Sequence, residues 1–449
     1  MRHTTIAALT GLLALWPSIA LAHVSEGALV LLMPTGFYTA AGVSAVVLSV
    51  MVAALLPRSG VASLFATVRL RGTSRLHLPL SFAGFFIFIS VVLAGVLGEQ
   101  HPLENLMPLY IWTFLWLIMP ALQVMFGNIW HGLNPWAFVT QFLKDQSPET
   151  AKPCWPALFC FLAIYLFAMV DIAPDAPRRL AMIAGLYWLF HMGMILWKGP
   201  GWLQRGEGFT VMFALLARLS PFSGGRFGMP GHSLHQAEIP SLSLAVFTIA
   251  MLAAGSYDGI NETFWWLAQI GVNPLAFPGR SQVVTPMILG FVLAQITLLL
   301  SFAMCCWLGW RMAAKPEGFQ NFFTLMALAL LPIAAGYHIA HYLTAFLVNG
   351  QYLLIALQEV FHFTHDSDHA EPFITTGFFN RPASVATIYT VQASAIVIGH
   401  ILAILLSHSF ALRLSGTRSQ ALKSQLPLII FMIAYTFLGL WLLASPRGV

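Results

Sequence analysis

Ten stretches of mostly apolar residues, several of about 20 positions, follow one another along this chain. A helix of about 20 apolar residues is what a bilayer core about 30 Å thick requires. Hydrophobic residues make up 58% of the 449 positions and charged residues 8%, with a mean hydropathy of +0.79. A soluble domain of this length has no interior large enough to keep so much apolar surface from water. A β-barrel would instead show short segments of strictly alternating polarity. The predicted fold is therefore all-α, a polytopic transmembrane helix bundle. Its ten predicted spans begin with Ala28–Leu56, Leu78–Leu97, Leu106–Phe126, Trp155–Val170 and Leu180–Trp197. They continue with Ser241–Ser256, Val284–Trp310, Phe322–Val348, Ser384–Leu406 and Leu426–Leu443. Trp155–Val170 and Ser241–Ser256 are short for a span. Phe209–Leu219 is expected at the interface or packed on the bundle.

Residues 1–22 read as a secretory signal. Arg2 and His3 form a basic start, Ile6–Ala20 is apolar, and Ala20-Leu21-Ala22 is an A-x-A cleavage pattern. Cleavage would make His23 the first residue of a single transmembrane helical domain, 23–449. An uncleaved first helix is the alternative. With the N-terminus outside, fifteen Lys and Arg residues fall in cytoplasmic loops and five outside. That asymmetry agrees with a bacterial inner-membrane protein whose N-terminus is periplasmic. Eleven of the 16 acidic residues fall on the periplasmic side. The net charge of +5 belongs to this loop asymmetry and gives no reason to expect nucleic acid. Four cysteines without a CxxC pair suggest neither a disulfide framework nor a zinc ribbon.

Polarity is concentrated in a few places. The segment 359–371, EVFHFTHDSDHAE, carries His362, His365 and His369 with Asp366, Asp368, Glu359 and Glu371. Spacings of three and four put the three imidazoles on one face of a helix, and imidazole with carboxylate suits zinc, manganese, iron or copper. A solvated connecting loop is the competing interpretation. His338 and His341, three apart in the eighth predicted span, share a face. Ionisable groups at membrane depth usually face the bundle interior. They are candidate metal ligands, with His191 at a similar depth, unless they only hydrogen-bond backbone or Tyr337 and Tyr342. His400 is expected to be a packed histidine. Asp258 and Glu262, four apart in SYDGINET, can offer two carboxylates as ligand or general base, or Asp258 can cap a helix in a loop. His23, with its α-amine, is a further candidate ligand. Glu99, His101 and Glu104 form an outer polar group of ordinary loop composition. FGNIWHGLNPW reads as a structural corner, with Trp130 and Trp136 in the interfacial belt.

Four segments, FGNIWHGLNPW, RGEGFTVMFALLARLSPF, SYDGINET and GYHIAHYLTAFLVNGQ, together resemble bacterial integral membrane proteins named fenitrothion hydrolases. The resemblance runs from His23 to about Gln351 and is weakest over 359–372. It implies hydrolysis of an organophosphorus triester at the P–O–aryl bond, giving a nitrophenol and a dialkyl thiophosphate. It assigns no catalytic residue. No Gly-x-Ser-x-Gly elbow occurs, so a lipase-type serine nucleophile is not expected. The expected function is a membrane-embedded hydrolase dependent on a divalent metal ion. Its ligands would come from His338, His341, His362, His365, His369, His23 and His191, and its acid–base groups from Asp258 and Glu262. Its partners would be the lipid bilayer and an apolar small-molecule substrate, with a partner membrane subunit left open. The alternatives are a membrane copper or haem redox or metal-handling protein, and a proton-coupled transporter.

Overall fold

The computed structural model describes residues 30, 33–70, 77–143, 153–273, 280–313, 318–361 and 374–447. The signal segment, His23 and the histidines His362, His365 and His369 lie outside them. The described chain is an all-α bundle in which nine helical segments are long and apolar enough to cross a membrane. The helices used below are α1 Thr35–Leu55, α2 His77–Leu97, α3 Leu106–Phe126, α4 Trp155–Val170, α5 Pro177–Lys198 and α6 Gly208–Ala217. They continue with α7 Leu242–Asn261, α8 Arg280–Met312, α9 Phe319–Leu328, α10 Leu331–Phe361, α11 Pro382–Leu414 and α12 Arg418–Ala444. A small antiparallel pair, Thr67–Arg69 with Arg226–Gly228, joins two connecting loops, with Val68 opposite Phe227.

Burial sorts the helices into centre and rim. The most apolar part of Phe319–Glu359 is 89% buried, against 17% for α1 and 22% for α8. The continuous apolar span formed by α9 and α10 is therefore the axis, and the rim helices turn aliphatic side chains towards lipid. Pro332 interrupts this axis: it has no N–H for Leu328, and the chain bridges the gap with two tighter turns, Ala329 N to Met326 O and Leu330 N to Ala327 O, each 3.0 Å. Beyond the break, α10 and α11 approach backbone to backbone. A Cβ on Gly336 would overlap the Ala395 carbonyl, and one on Gly399 would stand 2.6 Å from the Pro332 carbonyl. Small residues at a helix crossing permit this approach where lipid supplies no hydrophobic drive.

Trp155–Val170 keeps its expected bounds, while other expectations change in detail. Trp155–Val170 is helical but has 16 residues, about 24 Å at the α-helical rise, short of a full crossing by itself. The helix expected over Ser241–Ser256 runs to Asn261 because Ser241 caps it, accepting from Leu244 N at 3.3 Å, and nothing stops it at Ser256. Asp258 is thus inside a helix and does not cap a loop. Trp130 and Trp136 are buried at 2% and 3% exposure, not placed at an interface. Their indole N–H groups find Thr210 Oγ1 at 3.3 Å and the Trp188 carbonyl at 3.0 Å. The segment Gly208–Ala217 lies in the core, with seven of its ten residues buried.

Candidate functional site

Asp258 stands on the last turn of α7, where the helix meets α4 and α10. Its Oδ2 accepts the Tyr342 hydroxyl at 2.5 Å and faces His341 Nε2 at 3.2 Å and the Tyr165 hydroxyl at 3.4 Å. The two tyrosine hydroxyls are themselves 3.4 Å apart. Four residues after Asp258, Glu262 comes round to the same side. One ligand atom from each of Asp258, Glu262 and His341 lies within 4.8 Å of the other two. The i,i+4 reading of SYDGINET and the placing of His341 on an inward face are both met here.

Below this group is a narrow cavity between α3, α4, α7 and α10, bounded by Trp116, Tyr165, Met251, Tyr337, His338 and His341 among others. Its volume is about 30 Å³. A single water needs about 10–15 Å³ by that measure, so the space suits a few waters or one hydrated ion and not an aryl ester. Next to it, across the Trp116–Phe209 ring contact at 6.3 Å, lies a cleft of about 90 Å³ lined almost wholly by apolar side chains. Trp112, Trp136, Ile164, Phe167, Tyr187 and Phe209 are among them.

His338 lines the cavity but is not a member of the ligand group. Its Nε2 donates to the Trp116 carbonyl at 2.8 Å. Pro120, four residues after Trp116, has no N–H to offer that carbonyl. The helix around it is wound as a wide π-helix over Leu109–Ile118, a form that recurs at functional sites. His338 therefore closes a backbone gap, the role weighed against ligation for these histidines.

His191 belongs to a different group. It lies with Cys160 and Glu207 between α4, α5 and the start of α6. Trp202 Nε1 donates to its Nδ1 at 3.0 Å, which leaves the hydrogen on Nε2, 3.7 Å from Cys160 Sγ. An imidazole held in that tautomer has no lone pair for a metal at Nε2. Glu207 caps α6, accepting from Phe209 N at 2.9 Å, Thr210 N at 2.6 Å and Thr210 Oγ1 at 2.5 Å, and from the Tyr187 hydroxyl. Burial pushes its carboxyl up from the usual range and these donors pull it back. The group is saturated by structural bonds, so His191 does not converge with His341.

Whether the residues around Asp258 suit a divalent ion can be judged from their geometry. Two ligand atoms each about 2.1 Å from a tetrahedral ion stand about 3.4 Å apart. The 3.2 Å between His341 Nε2 and Asp258 Oδ2 is close to that edge, and nitrogen with carboxylate oxygen is a common donor set. Arg447 works in the other direction: its guanidinium is 3.4 Å from Glu262 Oε2 and competes with a cation for the third ligand. The donor set would suit a metal between Asp258 and His341 once Nε2 gives up its hydrogen, with Glu262 joining only when Arg447 lets go.

Sequence did not single out Tyr165, Trp116 or Arg447 for this site, and it offered Tyr342 only as a hydrogen-bond partner for the histidines. A lone tyrosine in an apolar run, as in AIYLFAM around Tyr165, was the available signal for one of them. Nothing local marks Arg447, which reaches Glu262 because the chain end returns to α7: Phe264 N donates to the Pro446 carbonyl at 3.0 Å. Comparison with protein-family models, with curated proteins and with solved structures finds no match for this chain.

Proposed function

We propose that this chain is a membrane-embedded hydrolase of apolar esters, with organophosphorus triesters as the class implied by the sequence resemblance, and that Asp258, His341 and Glu262 form its centre. The observation that carries the reading is a buried carboxylate, Asp258, held by an imidazole and two phenols beside a cavity of water size. A divalent ion in this group would polarise the phosphoryl or thiophosphoryl group and lower the pKa of the attacking water. Asp258 takes the proton of that water as its oxygen bonds to phosphorus and the P–O–aryl bond breaks, the electron pair leaving with the aryl oxygen. Tyr342 and Tyr165 hold Asp258 in one orientation. The cleft beyond Trp116 is walled by aromatic side chains, as small-molecule sites commonly are, and that lining supports an aryl substrate arriving from the bilayer once the cleft widens. The Trp116–Phe209 wall has to open for the ester to reach Asp258. With the N-terminus periplasmic, the centre lies in the outer half of a bacterial inner membrane.

The test is metal analysis of purified protein together with nitrophenol release from an aryl phosphotriester. D258N and H341A should each lose bound metal and at least about 100-fold in turnover, as removing a general base and a metal ligand does. H338A should keep both. Wild-type protein with neither metal nor turnover, or D258N as active as wild type, would sink the reading.

A further inference from the structure

The ribbon formed by Thr67–Arg69 and Arg226–Gly228 has its side chains sorted by face. Side chains alternate along a strand and directly opposite residues share a side. Val68 and Phe227 therefore point one way, and Thr67, Arg69, Arg226 and Gly228 the other. The second side rests on the bundle at its inner end, where a Cβ on Gly228 would stand 2.9 Å from Thr67 Cγ2 and 3.3 Å from the His232 ring. The first side is bare. Val68 is 69% exposed and Phe227 46%, and Phe227 meets the exposed ring of Phe222 with centroids 5.2 Å apart. Leu64 and Leu70, before and after the first strand, are exposed as well.

At the free end of the ribbon, Arg69 and Arg226 stand directly opposite each other. The bond from Leu70 N to the Gly225 carbonyl at 3.0 Å makes them a non-hydrogen-bonded pair, the kind whose side chains come closest. Like charges in that register repel. Among the described residues neither guanidinium has an acidic partner, and Arg226 Nη1 has only Thr67 Oγ1 at 3.4 Å. Neighbouring arginines are committed to backbone, Arg58 to the Ser415 carbonyl and Arg413 to the Ala237 carbonyl, each at 2.5 Å.

The ribbon lies where helices leave the membrane. It follows α1 through the short helix Arg58–Leu64. Phe65 pins it beside the end of α11 by stacking on His235 at 4.7 Å, and His235 Nδ1 is 2.5 Å from Ser409 Oγ. Arg418, at the start of α12, donates to the Ala54 carbonyl at the end of α1. The Ser424 carbonyl of α12 lies against Gly309, so α8 ends at this level too. There Arg311 stands over the Trp307 ring, 5.1 Å from its centroid, and tryptophan at a helix end marks the headgroup layer.

We propose that this ribbon is a site for an anionic phospholipid. Val68, Phe227 and Phe222 sit among the acyl chains. The lipid phosphate lies between Arg69 and Arg226, cancels their repulsion and accepts their N–H groups in the paired geometry that guanidinium offers to phosphate. A zwitterionic lipid brings an ammonium group that the two arginines repel, so the pair selects net negative charge. Each basic residue near a membrane surface is worth about fivefold in affinity for anionic lipid. The inference does not depend on the Asp258 centre.

The test is native mass spectrometry of the full-length protein in neutral detergent, titrated with phosphatidylglycerol or with phosphatidylcholine of the same acyl chains. Wild type should bind phosphatidylglycerol at least about tenfold more tightly, and R69Q/R226Q should bring the two lipids within about twofold. R178Q, at the opposite end of the bundle, should keep the wild-type preference. R226Q alone, expected to lose about fivefold, serves should the double variant fail to fold, with thermal unfolding as the control. Equal binding of both lipids by wild type overturns the site, as does an undiminished preference in R69Q/R226Q. Displacement of the lipid by an equal concentration of inorganic phosphate overturns it as well, and assigns the arginines to a free anion. In phosphatidylglycerol liposomes, a bimane on Val68→Cys should be quenched by brominated acyl chains above the baseline of the four native cysteines. Quenching by aqueous iodide alone would overturn the seat of the ribbon in the membrane.

Discussion

His338 shows how a histidine with every outward sign of a ligand can be occupied by the backbone. Its Nε2 replaces the N–H that Pro120 cannot give to the Trp116 carbonyl. H338A should therefore destabilise the fold by about 1–3 kcal/mol, the cost of a buried carbonyl left unpaired, without changing metal content. Restoring a backbone donor by P120A should recover part of that loss in the double variant P120A/H338A. Thermal unfolding in detergent, set out as a double-mutant cycle, checks this. If H338A costs as much in the P120A background as in wild type, the pairing is wrong. The same comparison explains what sequence could reveal of the site. Asp258, Glu262 and His341 were legible because i,i+4 spacing and membrane depth both point inward. The difference between His341 and His338 was not, since it depends on a proline 218 positions earlier in the chain. Tyr165 and Arg447 were hidden for the same reason: each reaches Asp258 or Glu262 only through tertiary packing.

Most helices were legible in existence and order from their apolar length, but not in their ends: α10 runs on to Phe361 and α11 to Leu414, and α12 begins at Arg418, all well outside the predicted spans. Ser241 starts α7 and no breaker follows until Asn261, so Asp258 rides on a rigid element. Pro332 splits the central span into α9 and α10 at a point where every neighbour is fully buried. The crossing of α10 and α11 just beyond it depends on Gly336 and Gly399, where carbonyls of the opposite helix occupy the space of a side chain. A methyl group at either position forces the helices apart and drags His341 with α10 and His400 with α11. G336A and G399A should each lose about 1–3 kcal/mol as overpacking does, seen as a lower unfolding temperature. G185A on α5, where a Cβ meets nothing within 4 Å, should leave the unfolding temperature within about 2 °C of wild type. A G336A protein as stable as G185A would show that the two helices do not meet as closely as described.

At the scale of the whole molecule, the candidate centre sits where two sets of helices meet. Tyr165 and Trp116 come from α4 and α3, while Asp258, His341 and Tyr342 come from α7 and α10. The chain end then ties the second set together at this level, through Phe264 to Pro446 and Glu262 to Arg447. Which side of the membrane this level faces follows from the Lys and Arg asymmetry alone, and it decides whether substrate and water enter from the periplasm. Single cysteines at Glu104, 67% exposed in its side chain, and at Ser59, on an exposed helical turn, separate the two orientations. The positive-inside reading puts Glu104 outside and Ser59 inside. A membrane-impermeant maleimide applied to intact cells should label Glu104→Cys strongly above the parent protein, whose four cysteines define the baseline. Ser59→Cys should react only after the membrane is opened. The reverse pattern would turn the molecule over and place the Asp258 level on the cytoplasmic side.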